Sequence, residues 1–210
     1  RVPLKENNII RTLTADKAGN VWIGTANGLL KYGKDSTITH YNKENSNLSH
    51  NTVRCIYEDN DGTLWGRSYD KLNRLTREDD QFSAFDLKGN YKRELKNNLI
   101  LDIKPVIGRD SLLWVGTETG LCLFNKLTGR YIRYSRANAG FSNDVVKSIY
   151  AGADGRLWLG TDFGLNIFNP ANKKTEVSFH NPQVSYSVAN NVVWQIFEDT
   201  GGVIWLVTSN

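Results

Sequence analysis

The chain has 210 residues, 40% of them hydrophobic and 11% aromatic, with 18 glycines, two cysteines and no methionine. That composition agrees with a repeat of short strands, and no apolar run approaches the roughly 18 residues of a membrane-spanning helix. Lysine and arginine total 26 against 22 acidic residues, a net charge of +4, without the dense basic stripe expected of a nucleic-acid-binding face.

The first segment, Asn8-Ile-Ile-Arg-Thr-Leu13, leads through Asp16–Gly19 to Trp22, and the phrase Trp22-Ile-Gly-Thr-Ala-Asn-Gly28-Leu follows. Gly28–Tyr32 and Ile38–Tyr41 then read as short strands, the second ending on an aromatic residue. The same order begins again at Asn51. Val53–Glu58 and Thr63–Ser68 are predicted strands joined by Asp59-Asn-Asp-Gly62, in which the aspartate bonds backbone N–H groups and the glycine takes a positive φ. Further copies start at Asn98, Asp144 and Asn191, carry Trp114, Trp158 and Trp205, and repeat the turn at Asp199–Gly202. Gly164–Phe168 is a predicted third strand of the fourth copy, and no run has helical length or spacing.

Five tryptophan-anchored copies roughly 45 residues apart are the signature of a repeat architecture. Each copy reads as a four-stranded antiparallel meander, the unit of a β-propeller, so the expected fold is all-β. The repeats run over 8–50, 51–97, 98–143, 144–190 and, incomplete, 191–210: four blades and half of a fifth. The half blade predicts that this partial propeller belongs to a larger one of about seven blades, or closes with another chain, for instance as a homodimer. The tryptophans are expected to fill the wedges between blades.

Cys55 and Cys122 fall within apolar strands of different blades and read as small buried residues; a disulfide between them is the alternative. Asp59-Asn-Asp-Gly62 resembles the opening of a calcium loop, but the later ligands are missing and the hairpin reading is preferred. His40, His50 and His180 fall at unrelated repeat positions. No catalytic residue, metal site or cofactor is expected.

The residues Asp-Gly, Trp-Ile-Gly-Thr and Gly-Leu resemble the two-component regulator propeller repeat, most closely in copies one and four. Copy two departs at Trp65-Gly-Arg-Ser-Tyr-Asp-Lys-Leu72, and copy three has a longer first turn, Lys104 to Leu113. The resemblance implies the periplasmic sensor region of a membrane-bound hybrid histidine kinase of the kind that controls polysaccharide use in gut bacteria. It further implies an oligosaccharide ligand, no enzymatic activity in this region, and membrane attachment only through segments outside this sequence.

Strand one leaves and strand two returns to the same rim, so the segments before each first strand share a face with the links Ala26-Asn27, Tyr69-Asp70-Lys71, Glu118-Thr119 and Asp162-Phe163. One column on that face holds Arg11, Arg54, Leu101, Lys147 and Trp194, expected around the mouth of a central channel; solvated strand ends are the plainer alternative. Copy two adds Arg67 in place of the Gly-Thr glycine and Lys71 in place of the glycine opening strand three, with Tyr69 and Asp70 between them. Aromatic faces suit sugar CH groups and arginine forks suit carboxylates or sulfates, which points to an acidic oligosaccharide; the alternative is a repeat that tolerates substitution there. The charged segments Arg77–Asp80 and Lys88–Glu94 are expected to project into solvent. A protein-assembly propeller and, last, a propeller lyase are the competing function classes.

Overall fold

A computed structural model describes residues 9–76, 80–87 and 98–209 of the chain. The repeat start at Asn8, residues 77–79 of the first charged segment and the Lys88–Glu94 segment lie outside the described residues. Two units are formed, Arg1–Ile100 and Leu101–Asn210.

In the first unit, β1 (Ile10–Ala15), β2 (Val21–Thr25), β3 (Gly28–Tyr32) and β4 (Ile38–Tyr41) form one antiparallel sheet in chain order. A helical turn, α1 (Lys43–Ser46), leads to the second sheet: β5 (Val53–Glu58), β6 (Leu64–Ser68), β7 (Lys71–Thr76) and β8 (Gln81–Asp86). In the second unit, β9 (Ile100–Pro105), whose first residue marks the unit boundary, joins β10 (Leu112–Thr117), β11 (Gly120–Asn125) and β12 (Tyr131–Tyr134). The helical turn α2 (Arg136–Ala139) precedes the sheet of β13 (Val146–Ala151), β14 (Leu157–Thr161), β15 (Leu165–Asn169) and β16 (Lys174–Ser178), and β17 (Val193–Glu198) pairs with β18 (Ile204–Thr208). The four blades and a half expected from the repeats are present.

Strands Val53–Glu58, Gly28–Tyr32 and Ile38–Tyr41 match their predicted bounds; β6 and β15 each begin one residue later than predicted. The helical turns α1 and α2 were not read from the sequence, in which no run has helical length or spacing. Each is a single turn held by local hydrogen bonds: the Asn42 side chain accepts from Glu44 N and Asn45 N, and Asn47 and Gly140 end the turns in left-handed conformations. A helix this short has no periodic apolar stripe to announce it.

Blades pack through a repeated apolar contact. Trp22, Tyr41, Val53, Ile56 and Leu64 belong to one cluster in the first unit; Trp114, Tyr134, Val146, Ile149 and Phe168 form its counterpart in the second. Trp22, Trp65 and Trp114 are at most 4% exposed, as expected of wedge-filling rings, but Trp205 is 52% exposed, because among the described residues no further blade covers β18. The glycine two residues after Trp22, Trp114 and Trp158 permits the close packing: a Cβ on Gly160 would stand 2.8 Å from the Val193 carbonyl oxygen of the next blade.

The Asp-Gly turns close by an i→i+3 backbone bond, Gly19 N to Asp16 O at 2.8 Å and Gly202 N to Asp199 O at 3.0 Å, with both glycines at φ +82°. The aspartate has a second role that the turn reading missed. Asp16, itself buried, accepts from Trp22 Nε1 at 2.9 Å, and Asp199 accepts from Trp205 Nε1 at 2.7 Å, so in blades one and five turn and tryptophan are one hydrogen-bonded device.

Candidate functional site

The rim begins with a backbone irregularity. In four blades the first strand shifts register against the second: between Ile10 and Thr12, Val53 and Cys55, Val146 and Ser148, and Val193 and Gln195. The residue inside each shift is Arg11, Arg54, Lys147 or Trp194, the column singled out from the sequence. A β-bulge leaves one residue without a cross-strand partner and re-aims its side chain. Arg11, Arg54 and Trp194 are exposed, while the residues flanking the bulges, Val53, Val146 and Val193, are at most 1% exposed.

Backbone hydrogen bonds tie the links between second and third strands to the segments entering the first strands. Ala26 N donates to Ile9 O at 3.0 Å, Tyr69 N to Thr52 O at 3.2 Å and Gly164 N to Asn191 O at 2.7 Å. The link itself is closed by the threonine of Gly-Thr: Thr25 Oγ1 donates to Gly28 O and Thr161 Oγ1 to Gly164 O, at 2.9 and 2.7 Å.

In the second unit the rim is built around Lys147. Its Nζ lies 3.0 Å from Asp162 Oδ1 and 3.8 Å from the centroid of the Trp194 ring, so the ammonium is held between a carboxylate and an aromatic face. Trp194 Nε1 donates to Ser209 Oγ at 3.0 Å, which fixes the indole while its face remains 53% exposed. Phe163, next to Asp162, packs against Phe179 with ring centroids 5.2 Å apart, and both are largely exposed. Three aromatic rings and one ion pair therefore stand at one rim. Phe163 was placed on the rim by the sequence but not among the ligand contacts, and Phe179 was not singled out; their signal was an exposed link and strand end that carry rings where the first blade has Asn27 and Asn42.

In the first unit, blade two adopts a different link. Gly28, Gly120 and Gly164 have φ of +120°, +127° and +98°; Lys71 stands at that position in blade two, and the positive φ moves to Tyr69, at +56°. Left-handed backbone is costly for an aromatic residue and here places the Tyr69 ring on His50, centroids 4.9 Å apart and nearly parallel. Ser68 Oγ donates to the His50 carbonyl below it. Lys71 and Asp70 are half-buried, and Arg67, expected at the rim, is buried at 5% exposure. Arg67 stands where blades one, three and four have the packing glycine, a position at the blade contact rather than on the open rim.

Thus Arg11, Arg54, Arg67, Tyr69, Asp70 and Lys71 lie in one unit, and Lys147 and Trp194, which are in contact with each other, lie in the other. Among the described residues no group of three or more His, Cys, Asp or Glu could hold a metal ion. Cys55 and Cys122 are not joined in a disulfide, and burial pushes the Cys122 thiol up to about 11.

Blades of this form define the chain as a β-propeller repeat protein. The two component regulator propeller family matches residues 3–27, 47–70 and 140–163, a resemblance over about a third of the chain. The fold is similar to the extracellular domain assigned to the hybrid two component system BT4673 of B. thetaiotaomicron, at 25% identity over 95% of this chain and 26% of that one, TM-score 0.83. It is also similar to the corresponding domain of BT3049 from the same organism, at 25% identity over 97% of this chain and 28% of that one, TM-score 0.79. The chain therefore spans about a quarter of the length of those domains. A streptogramin B lyase is similar at 16% identity over 98% of this chain and 64% of that one, TM-score 0.72, a likeness of fold alone. No curated protein matches the sequence.

Proposed function

We propose that this chain is part of the extracytoplasmic, ligand-sensing region of a hybrid two component sensor, and that its rim recognises an oligosaccharide. The observation that carries the sensor reading is the likeness, over nearly the whole chain and at 25% identity, to extracellular domains of two such systems. The oligosaccharide reading is supported by the rim of the second unit, where Trp194, Phe163 and Phe179 offer flat faces beside the Lys147–Asp162 pair. Sugar CH faces stack on such rings while their hydroxyls take directed hydrogen bonds, and the ammonium favours an acidic sugar. On this reading the region lies in the periplasm, has no catalytic role, and passes ligand occupancy to a histidine kinase by differential binding to two states.

The test is thermal unfolding of the wild type, Trp194→Ala and Lys147→Ala with a panel of neutral and acidic oligosaccharides. A hundredfold excess of ligand over Kd adds about 2.7 kcal/mol, on the order of 5–10 °C for a chain of this size. Both variants are expected to lose the shift seen with an acidic oligosaccharide. A shift that survives both substitutions removes this rim as the site.

An assembly role is the second reading, favoured by one observation: Phe197, Trp205, Val203 and Val207 all stand exposed on or beside β17 and β18. If no oligosaccharide moves the melting temperature while the chain self-associates, assembly through that face is the better account.

A further inference from the structure

A pocket of about 360 Å³ opens between blades three and four of the second unit, at the end of the blades that carries the Asp-Gly turns, away from the rim. Its volume is that of a small-molecule site, and most of its lining is apolar: Leu112, Leu123, Leu157 and Pro170 among others.

Two polar side chains are left over inside it. Trp114 and Tyr134 both line the pocket, are 4% and 8% exposed, and hydrogen bond to none of the described residues. Neither Trp114 Nε1 nor Tyr134 Oη is a fully buried atom, so both open onto the pocket as donors that an occupant can meet. Blades one and five show one acceptor that the indole takes. Trp22 and Trp205 each donate to the carboxylate of the aspartate at the head of their own blade's turn. Blade three has Val106 at that position: its N–H closes the turn onto Leu112 O, as Asp16 N does onto Asn20 O. The carboxylate is missing and the pocket lies beside the indole in its stead. Arg109, exposed on the same turn and lining the pocket, brings a guanidinium to it.

We propose that this pocket binds a small organic carboxylate, its apolar body against the leucine and proline lining and its carboxylate in the place of the missing aspartate. The carboxylate accepts from Trp114 Nε1 and Tyr134 Oη and faces the Arg109 guanidinium. The site is independent of the oligosaccharide rim, since it uses none of the same residues.

The test uses the full chain with 3-phenylpropionate as probe and 3-phenylpropanol as its uncharged control, read by calorimetry and by the indole N–H resonances, with that of Trp114 assigned by its loss in Trp114→Phe. The acid is expected to bind at least about tenfold more tightly than the alcohol and to shift the Trp114 N–H resonance downfield. Trp114→Phe and Arg109→Gln each weaken the acid by about tenfold, the effect of losing one charge-assisted interaction. Val106→Asp restores the internal acceptor and abolishes binding while the protein stays folded by circular dichroism. Equal binding of acid and alcohol, absence of binding to the wild type, or unchanged binding to Val106→Asp overturns the proposal.

Discussion

Asp102 shows how a single side chain can join two blades at a cost. Its Oδ2 accepts from Ile149 N of the next blade at 2.8 Å, and Lys104 Nζ lies 3.8 Å from its Oδ1. Burial raises its pKa above the ordinary 3.8, outweighing the lysine and the two backbone donors. A carboxyl whose folded pKa is raised binds its proton more tightly in the folded state. Its contribution to stability is therefore fully present below pH 3.8 and is lost as pH rises through the window above that value. Asp102→Asn keeps an acceptor for Ile149 N and cannot ionise. Urea unfolding as a function of pH is expected to show wild type losing stability relative to Asp102→Asn from pH 3.8 upward; a constant difference between the two overturns this account.

At the scale of the element, one spacing governs both packing and the rim. Buried residues on the first strands stand three apart, Val53 and Ile56, Ile100 and Ile103, Val146 and Ile149, Val193 and Ile196, each no more than 9% exposed. Regular pleating puts every second residue on one face, and a bulge is what lets i and i+3 share it. That spacing was on view in the sequence and marks the bulge that displays Arg54, Lys147 and Trp194; around Arg11 the same positions, Ile10 and Leu13, are exposed. The column was legible because the repeats align, but its cause was not, since a register shift belongs to two strands and only one is read at a time. Blade two illustrates the converse. The sequence showed glycines replaced by Arg67 and Lys71, yet only the fold decides that Arg67 turns inward while Tyr69 takes the positive φ. The blade contact itself is tested at Gly160. An alanine there sets a methyl 2.8 Å from the Val193 carbonyl oxygen and is expected to destabilise the protein by about 1–3 kcal/mol in denaturant unfolding. No measurable loss removes close backbone approach as the reason for the glycine.

For the whole molecule, the sheet of β17 and β18 determines what the chain does alone in solution. It presents Trp205 at 52% and Phe197 at 43% exposure, rings stacked 6.4 Å apart, beside a strand edge with unpaired backbone groups. The prediction is concentration-dependent self-association in analytical ultracentrifugation, weakened by Trp205→Ser. A monomer at all concentrations contradicts it.

The sequence by itself determined the repeat, the antiparallel meander, the turns and the count of blades, because these follow from local chemistry recurring at a fixed interval: aspartate and glycine at bends, β-branched and aromatic residues between them. Tertiary structure alone decided which side chains meet. Lys147 sits on Trp194 across a blade boundary, Trp22 reaches back to Asp16, and Trp114 faces a pocket where the same partner is absent. Such contacts depend on how one sheet lies against the next, and that is fixed by packing between residues tens of positions apart, which no single stretch of sequence contains.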